Sequence, residues 1–125
     1  MSRADGPSSE AVPEPLRIEV RPHRETIVVA AEGELDLGSA DQLRTQLLEL
    51  LGAGFQRVVL DLRGVAFVDS TGLRTILDAE AASRGTGVEF SLVPGPAPVQ
   101  RVFTLTGTDA TLRFIEPRQF DGGAP

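Results

Sequence analysis

A chain of 125 residues with a formal charge of −6 is long enough to bury a core in one domain, and too acidic to offer the clustered cations that a nucleic-acid surface needs. It has no cysteine, which excludes disulfides, thiolate metal sites and cysteine nucleophiles; its 12 basic residues are all arginine, which removes a P-loop lysine, a Schiff-base lysine and the lysine of a response-regulator receiver. A basic or neutral protein partner fits this balance best, and no segment reaches the roughly 20 apolar residues that span a bilayer, nor does the N-terminus carry a basic-then-apolar signal, so a soluble, cytoplasmic protein is expected.

Residues 1–15 are rich in Pro, Ser, Gly and acid and read as a disordered tail. Leu16, Ile18 and Val20 alternate with Arg17, Glu19 and Arg21, a strand with one wet face. A turn over 22–25 leads to a second strand, Thr26 to Ala31, and the short connection predicts an antiparallel hairpin. His23, the sole histidine, lies in that turn and reads as a surface residue. Ser39-Ala40-Asp41-Gln42 has the form of a capping box opening a helix whose buried stripe is Leu43, Leu47, Leu50 and Leu51, ended by Gly52 or Gly54.

Val58, Val59, Leu60 and Leu62 form a short β-branched and aliphatic run, as expected of a strand covered on both faces, followed by a crossing loop. Asp61 in this strand must point outward or find donors. Leu73, Ile76, Leu77 and Ala81 then recur at helical spacing in a helix over 71–83, stopped at Gly85. Val88, Phe90 and Leu92 mark a fourth strand. Pro98 suits the first position of a last helix, with Val99, Val102 and Phe103 inward and Gly107 as its C-terminal cap. A final edge strand is expected over 111–115, and residues 117–125 read as a second tail. Strands alternating with helices imply right-handed βαβ crossovers. The expected fold is therefore α/β: a mixed, mostly parallel sheet with an N-terminal antiparallel hairpin and helices packed on it, in one domain over 16–116.

Asp69-Ser70-Thr71-Gly72 joins the central strand to its helix and contains three good N-cap residues. A helix N-terminus has unpaired N–H groups and the positive end of the dipole, which favour a phosphate or carboxylate. Ser70 thus offers a hydroxyl where an anion would be tolerated. Gly72 in a first helical turn costs on the order of 1 kcal/mol relative to alanine, and close backbone approach by a partner would account for it. The alternative of a serine hydrolase is disfavoured: the G-x-S-x-G elbow lacks its first glycine, which is Val68 here, and His23 precedes the serine.

FVDSTGLRTIL resembles the D-S-[ST]-G-L motif of the STAS domain in bacterial anti-sigma-factor antagonists. GELDLGSADQLRTQL and PVQRVFTLTGTDATLRFI resemble the same family's earlier helix-entry segment and its last helix and strand, so the likeness covers about 16–116. The resemblance implies a STAS fold and a regulated binding protein that is not an enzyme and needs no cofactor or metal of its own. It implies that Ser70 is phosphorylated by an anti-sigma-factor serine kinase, that the unphosphorylated form docks on that kinase and frees its sigma factor, and that a separate serine phosphatase restores the hydroxyl. Asp36, Asp69, Thr71, Gly72 and Arg74 join Ser70 as the expected partner-binding residues. Among them, Asp69 serves capping and presentation, Asp36 is the GELD acid, and Arg74 stands where the family pattern carries a small residue. A stand-alone STAS subunit or scaffold of a transporter or signalling assembly is the alternative; the intact D-S-T-G-L favours the antagonist.

Overall fold

The computed structural model describes residues 16–120; the expected tail 1–15 and the end of the second tail lie outside the described residues. Four strands form one sheet in the order β1-β2-β3-β4, with β1 Arg17–His23, β2 Thr26–Leu35, β3 Arg57–Val68 and β4 Glu89–Val93. β1 and β2 are antiparallel, from Arg17 opposite Glu32 to His23 opposite Thr26. β2–β3 and β3–β4 are parallel. The helices are α1 Ala40–Leu51, α2 Ser70–Thr86, α3 Ala97–Thr106 and the single turn α4 Pro117–Phe120, which occupies the start of the expected second tail.

Strand alternation divides the apolar residues between two faces. Ile27, Val29, Val58, Leu60, Leu62 and Leu92 face the helices, where Leu43 and Leu47 of α1, Ile76 of α2, and Val99 and Phe103 of α3 join them in one core. Val28, Val59 and Val93 form a smaller cluster on the other face, with Ile115 against it. β3 is therefore covered on both sides over 58–62, as its composition predicts. Arg44 of α1 and Asp78 of α2 are paired across the helix interface.

Several expected boundaries are corrected. β3 does not yield to a crossing loop after Leu62 but continues to Val68. Between the pairs Ala30–Asp61 and Glu32–Gly64, β3 advances three residues while β2 advances two; between Gly33–Val65 and Glu34–Phe67 it advances two against one. Each bulge inserts a residue and breaks the period-two signal. Val65 and Val68 consequently both return to the core while Ala66 and Phe67 stay out. β2 likewise runs past Ala31 to Leu35, which is fully buried.

Ser39 precedes α1, yet its side chain makes no cap bond. Its hydroxyl donates to the Glu34 carbonyl (2.7 Å) and accepts from the Asp36 N–H (3.1 Å), while Gln42 donates to the Leu16 carbonyl (2.8 Å). Tertiary partners have taken both members of the expected capping box. α2 passes through Gly85 and ends at Gly87, whose φ of 78° is the left-handed conformation that favours glycine. Its inner face is Leu73, Thr75, Ile76, Ala79 and Ser83; Ala81 is exposed. Pro98 is the second residue of α3, not the first. The expected strand 111–115 is reduced to one parallel bridge, Leu92 with Phe114, held by two 2.8 Å bonds to Arg113 and Ile115. Pro117 opens α4 two residues later.

Two close fits generate predictions. A Cβ on Gly72 would lie 2.5 Å from the Leu35 carbonyl oxygen and 2.7 Å from Leu35 Cγ. The approach that requires glycine is thus made by this chain's own β2, not by a partner. Because the obstacle is backbone, the helix must move, and overpacking of this kind costs about 1–3 kcal/mol. Gly72→Ala should lower stability in urea denaturation by about that amount, despite alanine's better helix propensity; an equal or higher midpoint would contradict the fit.

The other fit is Asp61, which is buried and takes 3.0 and 2.7 Å bonds from the Arg63 guanidinium and a 3.1 Å bond from the Arg63 N–H. Burial alone would push its carboxyl up, but the Arg63 bonds and the charges of Arg63 and Arg21 outweigh that and hold it below its ordinary value. A carboxyl whose pKa is lowered by folding stabilises fully above its unfolded value and loses the contribution as pH falls through its folded value. Wild type should exceed Asp61→Asn by about 1–3 kcal/mol near neutrality, the gap narrowing once pH falls below about 4. A gap in denaturation midpoint that stays constant into acid would contradict the pairing.

Candidate functional site

The last paired residues of β2 and β3 are Leu35 and Val68, so both strands end together beneath the start of α2. Asp69 follows, and its N–H donates to the Leu35 carbonyl at 3.1 Å. Its backbone is extended (φ −101°, ψ −174°), as an N-cap requires, and its carbonyl accepts the first helical bond from Leu73 at 2.9 Å. One carboxylate oxygen accepts from the Gly72 N–H at 2.9 Å. The other accepts from the Leu37 N–H at 3.2 Å. The cap is therefore Asp69 alone, and it also ties the loop after β2 to the helix.

That arrangement leaves Ser70 as the first helical residue, exposed, with no partner for its hydroxyl among the described residues. The N–H groups of Ser70 and Thr71 precede the first helical bond and have no partner among the described residues either. Donors and the positive dipole end face the same solvent as the hydroxyl. Thr71 is half-buried, Gly72 is buried against Leu35, and Arg74 is exposed one turn on, without an ion pair among the described residues.

Asp36 is in the adjoining loop, but its carboxylate turns back onto that loop. Oδ1 accepts from the Gly38 N–H (3.0 Å) and the Ser39 hydroxyl (3.3 Å), and its carbonyl accepts from the N–H of Ser39 and Ala40. Leu37, not Asp36, carries the contact to the α2 start. The structure thus brings Asp69, Ser70, Thr71, Gly72 and Arg74 together on one helix turn and adds the 36–38 loop beside them. Two exposed apolar residues here escaped the sequence reading: Leu37, 77% exposed, and Phe67, 49% exposed. Phe67 lies in an apolar run, Val65 to Val68, meant to be loop, and Leu37 stands alone between Asp36 and Gly38, so neither carried a directional signal.

His23 ends β1, at the opposite end of the sheet from Ser70, since Thr26 pairs with the first residue of β3 and Ser70 lies beyond its last. It cannot serve Ser70 as a base. An open hollow of about 640 Å³ lined by Leu51, Phe55, Arg57, Val88 and Glu89 is likewise at that far end. Among the described residues there is no group of three or more His, Asp or Glu that could hold a metal ion, and no helix long and apolar enough to cross a membrane. The site therefore presents one exposed, unbonded hydroxyl, that of Ser70, beside the Asp69 carboxylate.

Residues 18–116 match the family model described as Mlab, STAS domain. An anti-sigma F factor antagonist of Paenibacillus polymyxa is 32% identical over 93 residues, 74% of this chain and 80% of that protein. The anti-sigma-F factor antagonist RsfB of Mycobacterium tuberculosis is 31% identical over 105 residues, 84% of this chain and 85% of its own length. Among solved structures, an anti-sigma factor antagonist from Mycobacterium paratuberculosis superposes with a TM-score of 0.75 at 26% identity, covering 88% of this chain and 94% of that one. With the fold, the motif and these relatives in agreement, the chain belongs to the STAS-domain family of bacterial anti-sigma-factor antagonists.

Proposed function

We propose that this chain is a phosphorylation-controlled antagonist: unmodified, it binds an anti-sigma-factor serine kinase and frees the sigma factor that the kinase holds, and phosphorylation of Ser70 ends that binding. The observation that carries the reading is the Ser70 hydroxyl, exposed and unbonded at the first position of a helix capped by its neighbour Asp69. The relatives named as antagonists support it.

In the transfer step, Ser70 Oγ forms a bond to the γ-phosphorus of ATP as the bond from that phosphorus to the ADP oxygen breaks. The hydroxyl proton passes to a base of the kinase or to water. Nucleotide and magnesium chemistry belong to the kinase; a separate serine phosphatase cleaves the phosphoserine and returns the hydroxyl. This chain contributes the acceptor and the surface around it. Asp69 carries its bonds to Gly72 and Leu37 already, which suits it to presentation and not to proton abstraction. Asp36 shapes the neighbouring loop, and Thr71 and Gly72 complete the helical turn.

A phosphoserine brings roughly −1.5 to −2 charges at pH 7. Against the free N–H groups and dipole end of α2 the fold can accommodate it. Across a desolvated interface it cannot be left unmatched, and Asp69 beside it adds like charge. Arg74 suits both states: before transfer it can pair with an acid on the kinase, and afterwards it can fold back onto the phosphate. The scaffold or transporter-subunit reading leaves the exposed acceptor without a use.

Two outcomes follow. Intact-mass analysis after incubation with the anti-sigma-factor kinase and ATP should find one phosphoryl group on wild type and none on Ser70→Ala, with both proteins unfolding within about 0.5 kcal/mol of each other because the cap belongs to Asp69. Modification at Thr71, or of Ser70→Ala, would overturn the assignment. Ser70→Asp should likewise stay folded yet bind the kinase on the order of 100-fold more weakly, equivalent to about 2.7 kcal/mol. Titration calorimetry giving equal affinities for Ser70→Asp, phosphorylated protein and wild type would contradict the switch.

A further inference from the structure

We propose that Leu37 and Phe67 are the apolar anchors on which the kinase docks to reach Ser70, an inference that rests on the phosphorylation reading above. Four large apolar side chains are exposed among the described residues: Leu37 (77%), Leu48 (38%), Phe67 (49%) and Leu105 (77%). Two of the four adjoin the acceptor. Phe67 lies three residues before Ser70, at most about 11 Å along an extended chain, and the Leu37 N–H is 3.2 Å from the Asp69 carboxylate.

Both are held by backbone that does not depend on a partner. Phe67 pairs in register with Glu34 inside the sheet, just before β3 ends, and Leu37 is tied by Asp69 to the start of α2. A backbone fixed in advance leaves only side-chain rotamers to be ordered on binding, which favours a few apolar side chains dominating an interface.

Their occupant follows from the chemistry at Ser70. A phosphoryl donor must come within about 3–3.5 Å of Ser70 Oγ in a site that excludes water. An interface of standard size, about 800 Å² per partner, is a disc of roughly 16 Å radius, wide enough to reach from Ser70 to the positions of both anchors. Exposed Glu34 and Asp41 and half-buried Asp36 flank Leu37 in sequence, and exposed Arg74 stands on α2. The matching kinase face is apolar at its centre, basic toward the 36–38 loop and acidic toward Arg74. A phosphate on Ser70 sits beside this apolar contact and keeps it hydrated, so the anchors supply affinity to the unmodified form alone.

The test uses full-length protein and the ATP-dependent anti-sigma-factor kinase encoded by the same bacterium. Affinity is measured in a Ser70→Ala background, where no transfer intervenes, and KM and kcat are measured with Ser70 intact. Leu37→Ala and Phe67→Ala should each weaken binding about tenfold, equivalent to 1.4 kcal/mol, and raise KM while leaving kcat unchanged. The loss should be equal at low and high salt, because apolar contact is not screened. Leu105→Ala, as exposed as Leu37 but at the C-terminal end of α3, should change nothing. Thermal melts of each variant should match wild type, since the positions are exposed. Unchanged affinity in both anchor variants, or an equal loss in Leu105→Ala, would overturn the docking assignment even where Ser70 is phosphorylated. Wild type that binds but takes no phosphate overturns the phosphorylation reading, while the anchor variants still decide the docking. Wild type that neither binds nor is modified overturns both.

Discussion

Asp69 joins three pieces of chain with one side chain and its own backbone. Its N–H closes the end of β2, one carboxylate oxygen caps α2 through Gly72, and the other holds Leu37 from the loop beyond β2. Each bond is modest alone, since a hydrogen bond to a charged group contributes about 1.5–3 kcal/mol. Their value lies in geometry. With the cap supplied by Asp69, the next residue need not turn its side chain back to the helix, and Ser70 is free to point at solvent. Were Ser70 itself the cap, its hydroxyl would already be committed to a backbone N–H.

The buried sheet makes that geometry stiff. Over 58–62 β3 is covered by apolar residues on both faces, and the Leu35–Val68 pair sits within the core. Gly72 allows the first turn of α2 to pack directly on the Leu35 backbone, at a distance that a Cβ would meet only if the helix shifted. Ser70 therefore rests on a platform whose displacement would require the core to open. A charge added at such a point acts on what approaches it more than on what lies beneath it. A modification there, as proposed for Ser70, would therefore be silent for stability and decisive for binding.

The acidic balance of the chain gains meaning from where the charges lie. Asp61 is neutralised within the fold by Arg63, and Asp78 by Arg44. Glu34 and Asp41 remain exposed on either side of the 36–38 loop in sequence, and Arg74 is exposed on α2. A surface with apolar, acidic and basic parts in fixed order discriminates by misfit as well as by attraction.

Much was legible without coordinates. The run Val58 to Leu62 needs two apolar faces, Leu43, Leu47 and Leu51 need one, and an aspartate before a helix needs no tertiary help to act as its start, whereas the glycine expected to stop that helix, Gly85, is passed in favour of Gly87. Asp61's partner was legible in principle, because residues i and i+2 share a strand face and Arg63 is that residue. What escaped depends on contacts distant in sequence. The two bulges that carry β3 to Val68 exist because β2 pairs there, and a broken period looks like a loop when read alone. Ser39 and Gln42 fit a local cap but found stronger partners in Glu34 and Leu16. Gly72 was recognisable as costly, but the reason, a backbone carbonyl from residue 35, belongs to no neighbouring stretch. Local pattern by itself determined the four main strands, the three longer helices and the place of Ser70 between strand and helix, since those follow from periodicity and capping. Which hydroxyl is left free, and which apolar residues stand beside it, only the tertiary structure decided, because a hydrogen-bonding group is free only when every competing partner has been placed.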